Sequence, residues 1–197
     1  MDQLPLPLAY RPATGAADFV HAAANADAVR WLDGPPAPRT LLIGPAASGK
    51  THLGRLFAAR HRALLCDDAD LTEQEPLFHA WNAASTAVPV LFIARALPRM
   101  WVTLPDLASR LAATPTLVIG PPDEDLLAAL LVKQFADRGV RIDASVVAFI
   151  VVRIERSFAA VAETVARLDA AALERGREVT VPLARAVLDG QGDWLAG

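Results

Sequence analysis

A glycine-rich run, G-P-A-A-S-G-K-T at residues 44–51, constrains the fold of this chain more than any other feature. It fits the pattern G-x-x-x-x-G-K-[ST], in which glycines allow backbone amides to point at phosphate oxygens. Lys50 would neutralise the β- and γ-phosphates, and the hydroxyl of Thr51 would bind Mg²⁺. The expected nucleotide-binding residues are consecutive: Gly44, Pro45, Ala46, Ala47, Ser48, Gly49, Lys50, Thr51 and His52.

The residues on either side of this run supply the context that a phosphate-binding loop requires. Residues 40–43 are apolar enough for a short buried strand, and residues 52–60 have the composition of a helix. A strand, a loop and a helix in this order are the setting of the motif, and a helix N-terminus adds a dipole that favours phosphate. The context predicts a functional loop rather than an ordinary turn containing glycine.

Composition limits what else the chain can be. Its 197 residues suit one domain, or one domain with a small appendage, and 53% of them are hydrophobic. The longest apolar runs, 126–132 and 146–152, are too short to span a membrane, and the N-terminus has no secretory pattern. The single cysteine, Cys66, suits a reducing cytoplasm, and the net charge of −3 argues against strong direct DNA binding.

The order of predicted elements indicates an α/β protein with a helical C-terminal part. Predicted strands at 40–43, 63–67, 88–94 and 116–119 alternate with helices at 18–32, 52–60, 73–85 and 104–112. Only helices follow, at 123–138, 143–154, 157–175 and 182–188, each near an Asp, Ser or Pro at its start. This order predicts an N-terminal arm (1–17), a parallel α/β nucleotide-binding domain (18–120) and a helical domain (121–197).

A pair of carboxylates ends the second predicted strand. Asp67 and Asp68 follow an apolar segment, and a carboxylate at this place in proteins with a phosphate-binding loop holds Mg²⁺. We expect Asp67 to bind Mg²⁺ and Asp68 to orient the attacking water. The alternative is a solvated strand end, because acidic residues often follow strands and Asp70 is also near.

Three further motifs carry a resemblance to a known family: L-F-H-A-W-N at 77–82, L-P-D-L-A-S-R-L at 104–111 and E-R-S-F-A-A-V at 155–161. With the phosphate-binding loop, they make the chain similar to the DnaA-related AAA+ ATPases, and within these to the short Hda type. The resemblance implies an AAA+ core, a helical lid domain, and bound ADP or ATP with Mg²⁺. It also implies negative regulation of DNA replication initiation, through stimulated hydrolysis of the ATP on DnaA.

The N-terminal residues resemble the peptide with which Hda-type proteins bind the DNA polymerase β sliding clamp. The residues that match are Gln3, Leu4, Pro5, Leu6, Pro7 and Leu8. Prolines hold such an arm extended, which reduces the entropy lost on docking. The resemblance therefore implies two partners, the clamp and DnaA, and a cytoplasmic protein associated with the replisome.

Two arginines match functional positions of the family. Arg110 matches the arginine finger, which would stabilise charge on the nucleotide of a neighbouring DnaA subunit. Arg156 matches the sensor arginine of the lid, which contacts the nucleotide in cis, with Arg153 as a competing candidate. Ala94 stands where relatives often carry a polar residue that senses the γ-phosphate, so the resemblance leaves intrinsic ATP hydrolysis in doubt.

Several alternatives remain open at this stage. One sheet-edge strand of the family is predicted to be missing, but residues 63–71 could instead be that edge strand, which would leave Asp67 and Asp68 without a Mg²⁺ role. The function could be that of a non-hydrolysing adaptor between clamp and DnaA, or of a small-molecule kinase. The helix at 18–32, with Asn25, could line an adenine pocket, and homodimer formation is undecided.

Overall fold

A four-stranded parallel sheet lies at the centre of the protein in a computed structural model, which describes residues 25–190. Its strands are β1 (Arg39–Ile43), β2 (Leu64–Cys66), β3 (Val90–Ala94) and β4 (Thr116–Val118). Their spatial order is β2-β3-β1-β4, and every neighbouring pair is parallel. The crossover connections that parallel strands need are supplied by the helices.

The two central strands are apolar because both of their faces are covered. All five residues of β3 are buried, and in β1 only the first residue, Arg39, reaches solvent. Neighbouring side chains point to opposite faces, so Leu42 joins the core on one face and Leu41 the core on the other. The two edge strands, β2 and β4, are three residues long and partly exposed.

Eight helices belong to the described residues. Four of them accompany the sheet: α1 (Ala26–Asp33), α2 (Lys50–His61), α3 (Gln74–Ala83) and α4 (Pro105–Ala112). The other four follow the last strand: α5 (Glu124–Ala136), α6 (Ala144–Val151), α7 (Phe158–Arg175) and α8 (Val181–Leu188). None of the described helices is long and apolar enough to cross a membrane.

The four C-terminal helices pack around a hydrophobic core of their own. Leu131, Val161 and Leu168 are fully buried in it. Side-chain caps begin two of these helices: the carboxylate of Asp123 accepts from the amide of Leu126 at 2.8 Å, and the hydroxyl of Ser157 accepts from the amide of Ala160 at 3.1 Å. The segments predicted from capping residues therefore start where expected.

Two C-terminal residues join the core of the α/β part instead. Leu126 of α5 and Phe158 of α7 are buried in the cluster that contains Leu53 and Phe57 of α2. Because α2 starts at the phosphate-binding loop, this cluster connects the base of the helical part directly to the helix that would carry the nucleotide.

The sequence predicted the fold class correctly: an α/β core with a parallel sheet, followed by helices. The predicted strands and helices all exist, although the helix predicted at 143–154 ends at Val151, where the chain turns before the next helix. The described chain has four strands, in agreement with the expected loss of one edge strand. The N-terminal arm, including residues 3–8, and residues 18–24 of the first predicted helix lie outside the described residues.

The position of β2 bears on the alternative alignment. Leu64–Cys66 pairs with Val90, Leu91 and Phe92, so β2 lies directly beside β3, which in turn lies beside β1. The carboxyl end of β2 is therefore two strands away from the phosphate-binding loop and faces the same edge of the sheet. This placement favours the alignment in which β2 is the strand that ends in the Mg²⁺-binding carboxylate, and the missing strand is the edge strand.

Gly54 allows α2 to pack closely against the sheet. A Cβ atom at this position would lie 2.6 Å from Cδ1 of Ile93 and 2.8 Å from Cδ1 of Leu65. Both neighbouring side chains lie in the core cluster of this face, so they have little room to move. A larger side chain at position 54 would push the helix away from β2 and β3.

We therefore expect Gly54→Leu to lower the free energy of unfolding by about 1–3 kcal/mol, the usual cost of overpacking a core. Ala59→Leu, at an exposed position of the same helix, is the matched control and should change stability little. Urea unfolding of both variants measures the difference. Equal stabilities of the two variants would show that α2 does not depend on this close approach.

Candidate functional site

The phosphate-binding loop leaves β1 at the carboxyl edge of the sheet. Its first amide, that of Gly44, donates to the carbonyl of Ala94 at the end of β3 at 3.3 Å. A Cβ atom at Gly44 would lie only 2.9 Å from Cβ of Ile119, so glycine is needed for this approach. The loop then curls through two residues with positive φ, Ala47 at 60° and Gly49 at 83°. For Ala47 this left-handed conformation costs roughly 1 kcal/mol.

Lys50 is folded into the loop. It is only 8% exposed, and its ammonium donates to the carbonyl of Pro45 at 2.6 Å. Burial lowers the pKa of Lys50, an effect opposed by the nearby carboxylates of Asp67, Asp68 and Asp70. A buried cation in such a loop is suited to receive a polyanion, which would replace the carbonyl as its partner.

Asp67 comes to the loop from the end of β2. The hydroxyl of Thr51 donates to its carboxylate at 3.2 Å, which joins the two residues predicted to bind Mg²⁺. Within residues 25–190 no three His, Cys, Asp or Glu side chains converge as a metal-holding group. Magnesium with a nucleotide does not require one, since a hydroxyl, one carboxylate, phosphates and water suffice. The oxygen donors present therefore fit Mg²⁺.

Asp68 has a different environment from the one expected of a residue that activates water. It is exposed, and its backbone is left-handed, with φ 47°. This turn carries the chain away from β2 into a short 3-10 segment, Ala69–Leu71. The Asp68 carboxylate is near enough to raise the pKa of Lys50, but no hydrogen bond or ion pair within the described residues joins it to the loop, and its catalytic role stays a sequence prediction.

Asp70 is the more enclosed carboxylate of the group. Its side chain is 9% exposed, and one oxygen accepts from Nε of Arg95 at 2.8 Å. Its other oxygen, Oδ1, is buried and finds no hydrogen-bond partner within the described part of the chain. Arg95 directly follows Ala94, the last residue of β3, so the ion pair lies at the carboxyl end of that strand. The only signal for this pair in the sequence is weak, namely the spacing D-D-x-D after a strand.

The two candidate lid arginines have different surroundings. Arg156 lies between α6 and α7 and forms an ion pair with Glu124, in the first turn of α5. Arg153 follows α6 and folds back onto it, where its guanidinium lies 3.6 Å from the ring centre of Phe149 and donates to the Phe149 carbonyl at 3.0 Å. Arg156 thus lies at the base of the helical part, two residues before the buried Phe158. It is the better placed of the two arginines for the predicted role of lid sensor.

Arg110 lies beside the amino ends of the strands, whereas the phosphate-binding loop lies at their carboxyl ends. Its guanidinium is 4.7 Å from the ring centre of Trp81 and 5.0 Å from that of Phe78. Arg39, the first residue of β1, also lies over Trp81, at 4.0 Å. Because β1 runs from Arg39 to Gly44 at about 3.3 Å per residue, the two sites are separated by about 16 Å of strand.

The remaining residues singled out in the sequence differ in their burial. His52 is half-buried in the first turn of α2, and Asn25 is buried just before α1. Burial raises the pKa of the Cys66 thiol to about 11, so it stays protonated at neutral pH. The clamp-binding residues at 3–8 lie outside the described residues.

Comparison with known proteins identifies the helical part. Residues 123–188 match the family model described as the lid domain of Hda, which is about a third of the chain. The resemblance predicted from the sequence is thereby confirmed for this part. A search of curated proteins found no significant match.

The whole described chain has the fold of solved AAA+ proteins. Domain III of the Thermotoga maritima replication initiation protein DnaA superposes with a TM-score of 0.76 at 16% identity, over 92% of this chain and 98% of that one. A structure of the replication initiator DnaA bound to AMPPCP and single-stranded DNA gives 0.63 at 15%, over 85% and 69%. The R170A variant of Thermotoga maritima RuvB gives 0.69 at 12%, over 91% and 72%. The predicted AAA+ fold is confirmed.

The burial of Lys50 generates a prediction about pH. Since its pKa is lowered on folding, the unfolded chain binds more protons as the pH approaches 10.5, and the contribution of this group to stability rises with pH there. We expect Lys50→Met to abolish nucleotide binding and yet to unfold at a higher urea concentration than the wild type at pH 7. This difference should narrow toward pH 10.5.

Arg55→Met, at an exposed position of the same helix, controls for the general effect of removing a positive charge. Urea unfolding at several pH values measures stability, and titration with a fluorescent ADP analogue measures nucleotide binding. A Lys50→Met variant that is less stable at pH 7, or a difference that does not depend on pH, would contradict this description of the loop.

Proposed function

We propose that this chain, an AAA+ core with an Hda lid domain over residues 123–188, stimulates hydrolysis of the ATP bound to DnaA and so restrains replication initiation. It would do so while tethered to the DNA polymerase sliding clamp. The observation that carries the proposal is the separation of Lys50 and Arg110 at opposite ends of β1. One end suits a bound nucleotide, and the other presents an arginine that its own nucleotide cannot meet.

Arg110 can act only on a nucleotide held by another molecule. The side chain of an arginine is much shorter than the roughly 16 Å of strand between Arg39 and Gly44. Arg110 also borders an open recess of about 370 Å³ that is lined by Trp81, Asp106, Ser109 and Ala113. An arginine supplied in trans can stabilise the charge of a phosphoryl-transfer transition state. Such an arginine suits stimulation of a partner's hydrolysis.

The nucleotide of the chain itself would serve as a structural ligand. The backbone N–H groups of residues 46–49, with Lys50 and Thr51, would hold ADP or ATP, and Asp67 would complete the Mg²⁺ site with Thr51. Ala94 offers no side-chain hydrogen bond to a γ-phosphate, and Asp68 is exposed. These features favour retention of the nucleotide over its rapid hydrolysis in cis.

Arg156 would couple nucleotide binding to the position of the lid. Its partner in the structure is Glu124, and both lie where the lid meets the core, close to Phe158. A phosphate group that attracts Arg156 would compete with Glu124 for it. The lid would then respond to the state of the loop through a change of one ion pair.

A non-hydrolysing adaptor is the second candidate function. It is favoured by Ala94 and requires only that the chain connects clamp and DnaA. The clamp-binding role of Gln3, Leu4, Pro5, Leu6, Pro7 and Leu8 rests on the sequence in either case. A small-molecule kinase fits less well, because the lid match and the DnaA-like fold both favour a regulator of DnaA.

The turnover of DnaA-bound ATP, with clamp loaded on DNA, separates the two functions. We expect the wild-type chain to stimulate turnover and Arg110→Ala to reduce the stimulation by 10³-fold or more, as for other arginine fingers. Arg99→Ala, which removes an exposed arginine from another segment, is the matched control. Full stimulation by Arg110→Ala would rule out the finger and leave the adaptor.

Deletion of residues 3–8 tests the tether separately. We expect the deleted chain to lose its binding to the clamp and most of its stimulation in the presence of clamp, because tethering raises the effective concentration near DnaA. A high concentration of the deleted chain should restore turnover. Retention of clamp binding by the deleted chain, measured by surface plasmon resonance, would show that the tether lies elsewhere.

A further inference from the structure

A closed ring of contacts holds Arg110 at both its backbone and its guanidinium. The hydroxyl of Thr114 donates to the Arg110 carbonyl at 2.8 Å, and the indole N–H of Trp81 donates to the same hydroxyl at 3.0 Å. The ring of Trp81 then lies 4.7 Å from the Arg110 guanidinium, which completes the ring of contacts. Thr114 is 6% exposed, so this connection is sheltered from water.

Arg39 fixes Trp81 to the sheet. Nε of Arg39 donates to the Trp81 carbonyl at 2.7 Å, and Nη2 donates to the carbonyl of Ala84 at 3.0 Å. The guanidinium also lies 4.0 Å from the centre of the Trp81 ring. Since Arg39 is the first residue of β1, the position of Trp81 depends on one of the two central strands of the sheet.

Trp81 has an unusual position for a residue that only fills the core. It is half-buried and borders two open recesses, the one of about 370 Å³ beside Arg110 and one of about 190 Å³ beside Arg39. The faces of the Trp81 ring are thus incompletely covered. The indole N–H reaches Arg110 through Thr114, and the ring contacts the guanidinium groups of Arg110 and Arg39. These contacts restrict the side chain of Arg110, which would otherwise have many rotamers.

We infer that Trp81 and Thr114 are positioning residues for Arg110, and that they present its guanidinium to the recess through which a partner's nucleotide is reached. This inference rests on the proposed function of Arg110. An arginine that is already oriented loses less entropy on docking, and a catalytic group gains rate from correct placement. Arg39 anchors the arrangement to β1.

Three substitutions remove separate parts of the ring of contacts. Trp81→Phe removes the N–H and keeps an aromatic ring, Thr114→Val removes the hydroxyl and keeps the shape, and Trp81→Leu removes both the N–H and the ring. We expect Trp81→Leu to lower the maximal rate of DnaA-bound ATP turnover about tenfold, on the order of one lost cation–π contact. The concentration of chain that gives half-maximal stimulation should change less than twofold.

The conservative pair tests whether the contacts act as one unit. Trp81→Phe and Thr114→Val should each lower the maximal rate, and the double variant should be no slower than the slower single variant. The same substitutions in an Arg110→Lys chain should have almost no further effect, because the group they position is absent. Trp101→Phe is the matched control, since its indole N–H also donates a hydrogen bond, in this case to the backbone carbonyl of Ala96 at 3.0 Å.

The outcomes distinguish the inference from the proposed function. Undiminished turnover with Arg110→Ala overturns the proposed function itself. Loss with Arg110→Ala but full maximal rates with Trp81→Phe, Thr114→Val and Trp81→Leu overturns the inference alone. Additive losses in the Arg110→Lys chain, or losses that appear only as weaker binding of DnaA, also overturn it. Urea unfolding and clamp binding of each variant identify any that fails to fold, and Thr114→Val, the most conservative, then decides.

Discussion

The parallel register of β1 between β3 and β4 is the constraint on which the rest of the protein depends. Arg39 to Ile43 pair with Val90 to Ala94 on one side, and Leu41 to Ile43 pair with Thr116 to Val118 on the other. A strand paired on both edges and buried on both faces has no freedom to shift, since a slip of one residue would turn Leu41 and Leu42 to the wrong cores. Both ends of this strand carry functional groups. The nucleotide loop and the Arg110 cluster are therefore held at a constant separation.

The helical part depends on the same strand through α2. Phe158 and Leu126 pack in the cluster below α2, and α2 begins at Lys50 of the loop. A ligand that reorders the loop would act on α2 and, through it, on the base of the lid. Arg156 lies at this base, whereas Arg153 is held against Phe149 of α6. In the proposed function, the lid would thus respond to the nucleotide without any contact between the nucleotide and Arg110.

Local features of this fold could be predicted from the sequence. The loop from Gly44 to Thr51, the apolar strands and the caps at Asp123 and Ser157 each depend on neighbouring residues, and short-range physics places them correctly. Phe149 lies four residues before Arg153 in the helix predicted at 143–154, and this spacing could have ranked the two lid arginines, because side chains four residues apart on a helix meet.

The features that could not be predicted depend on residues far apart in the chain or on one backbone angle. Trp81 and Thr114 are 33 residues apart, and Arg39 reaches Trp81 across 42 residues, so no local pattern reveals the cluster around Arg110. The left-handed backbone of Asp68 turns the chain so that Asp70, instead of Asp68, is enclosed next to Arg95. A pattern of consecutive carboxylates does not contain this turn.

The central claim is that the chain keeps its own nucleotide and promotes hydrolysis of another molecule's. The most direct measurement loads the chain with ATP that carries one γ-phosphate isotope and DnaA with ATP that carries a second, and follows the release of both in one reaction with clamp on DNA. The account predicts that the isotope on DnaA is released at a rate that depends on Arg110, while the isotope on this chain stays bound. Release of the chain's own isotope at the same rate, or a dependence of that release on Arg110, would contradict it.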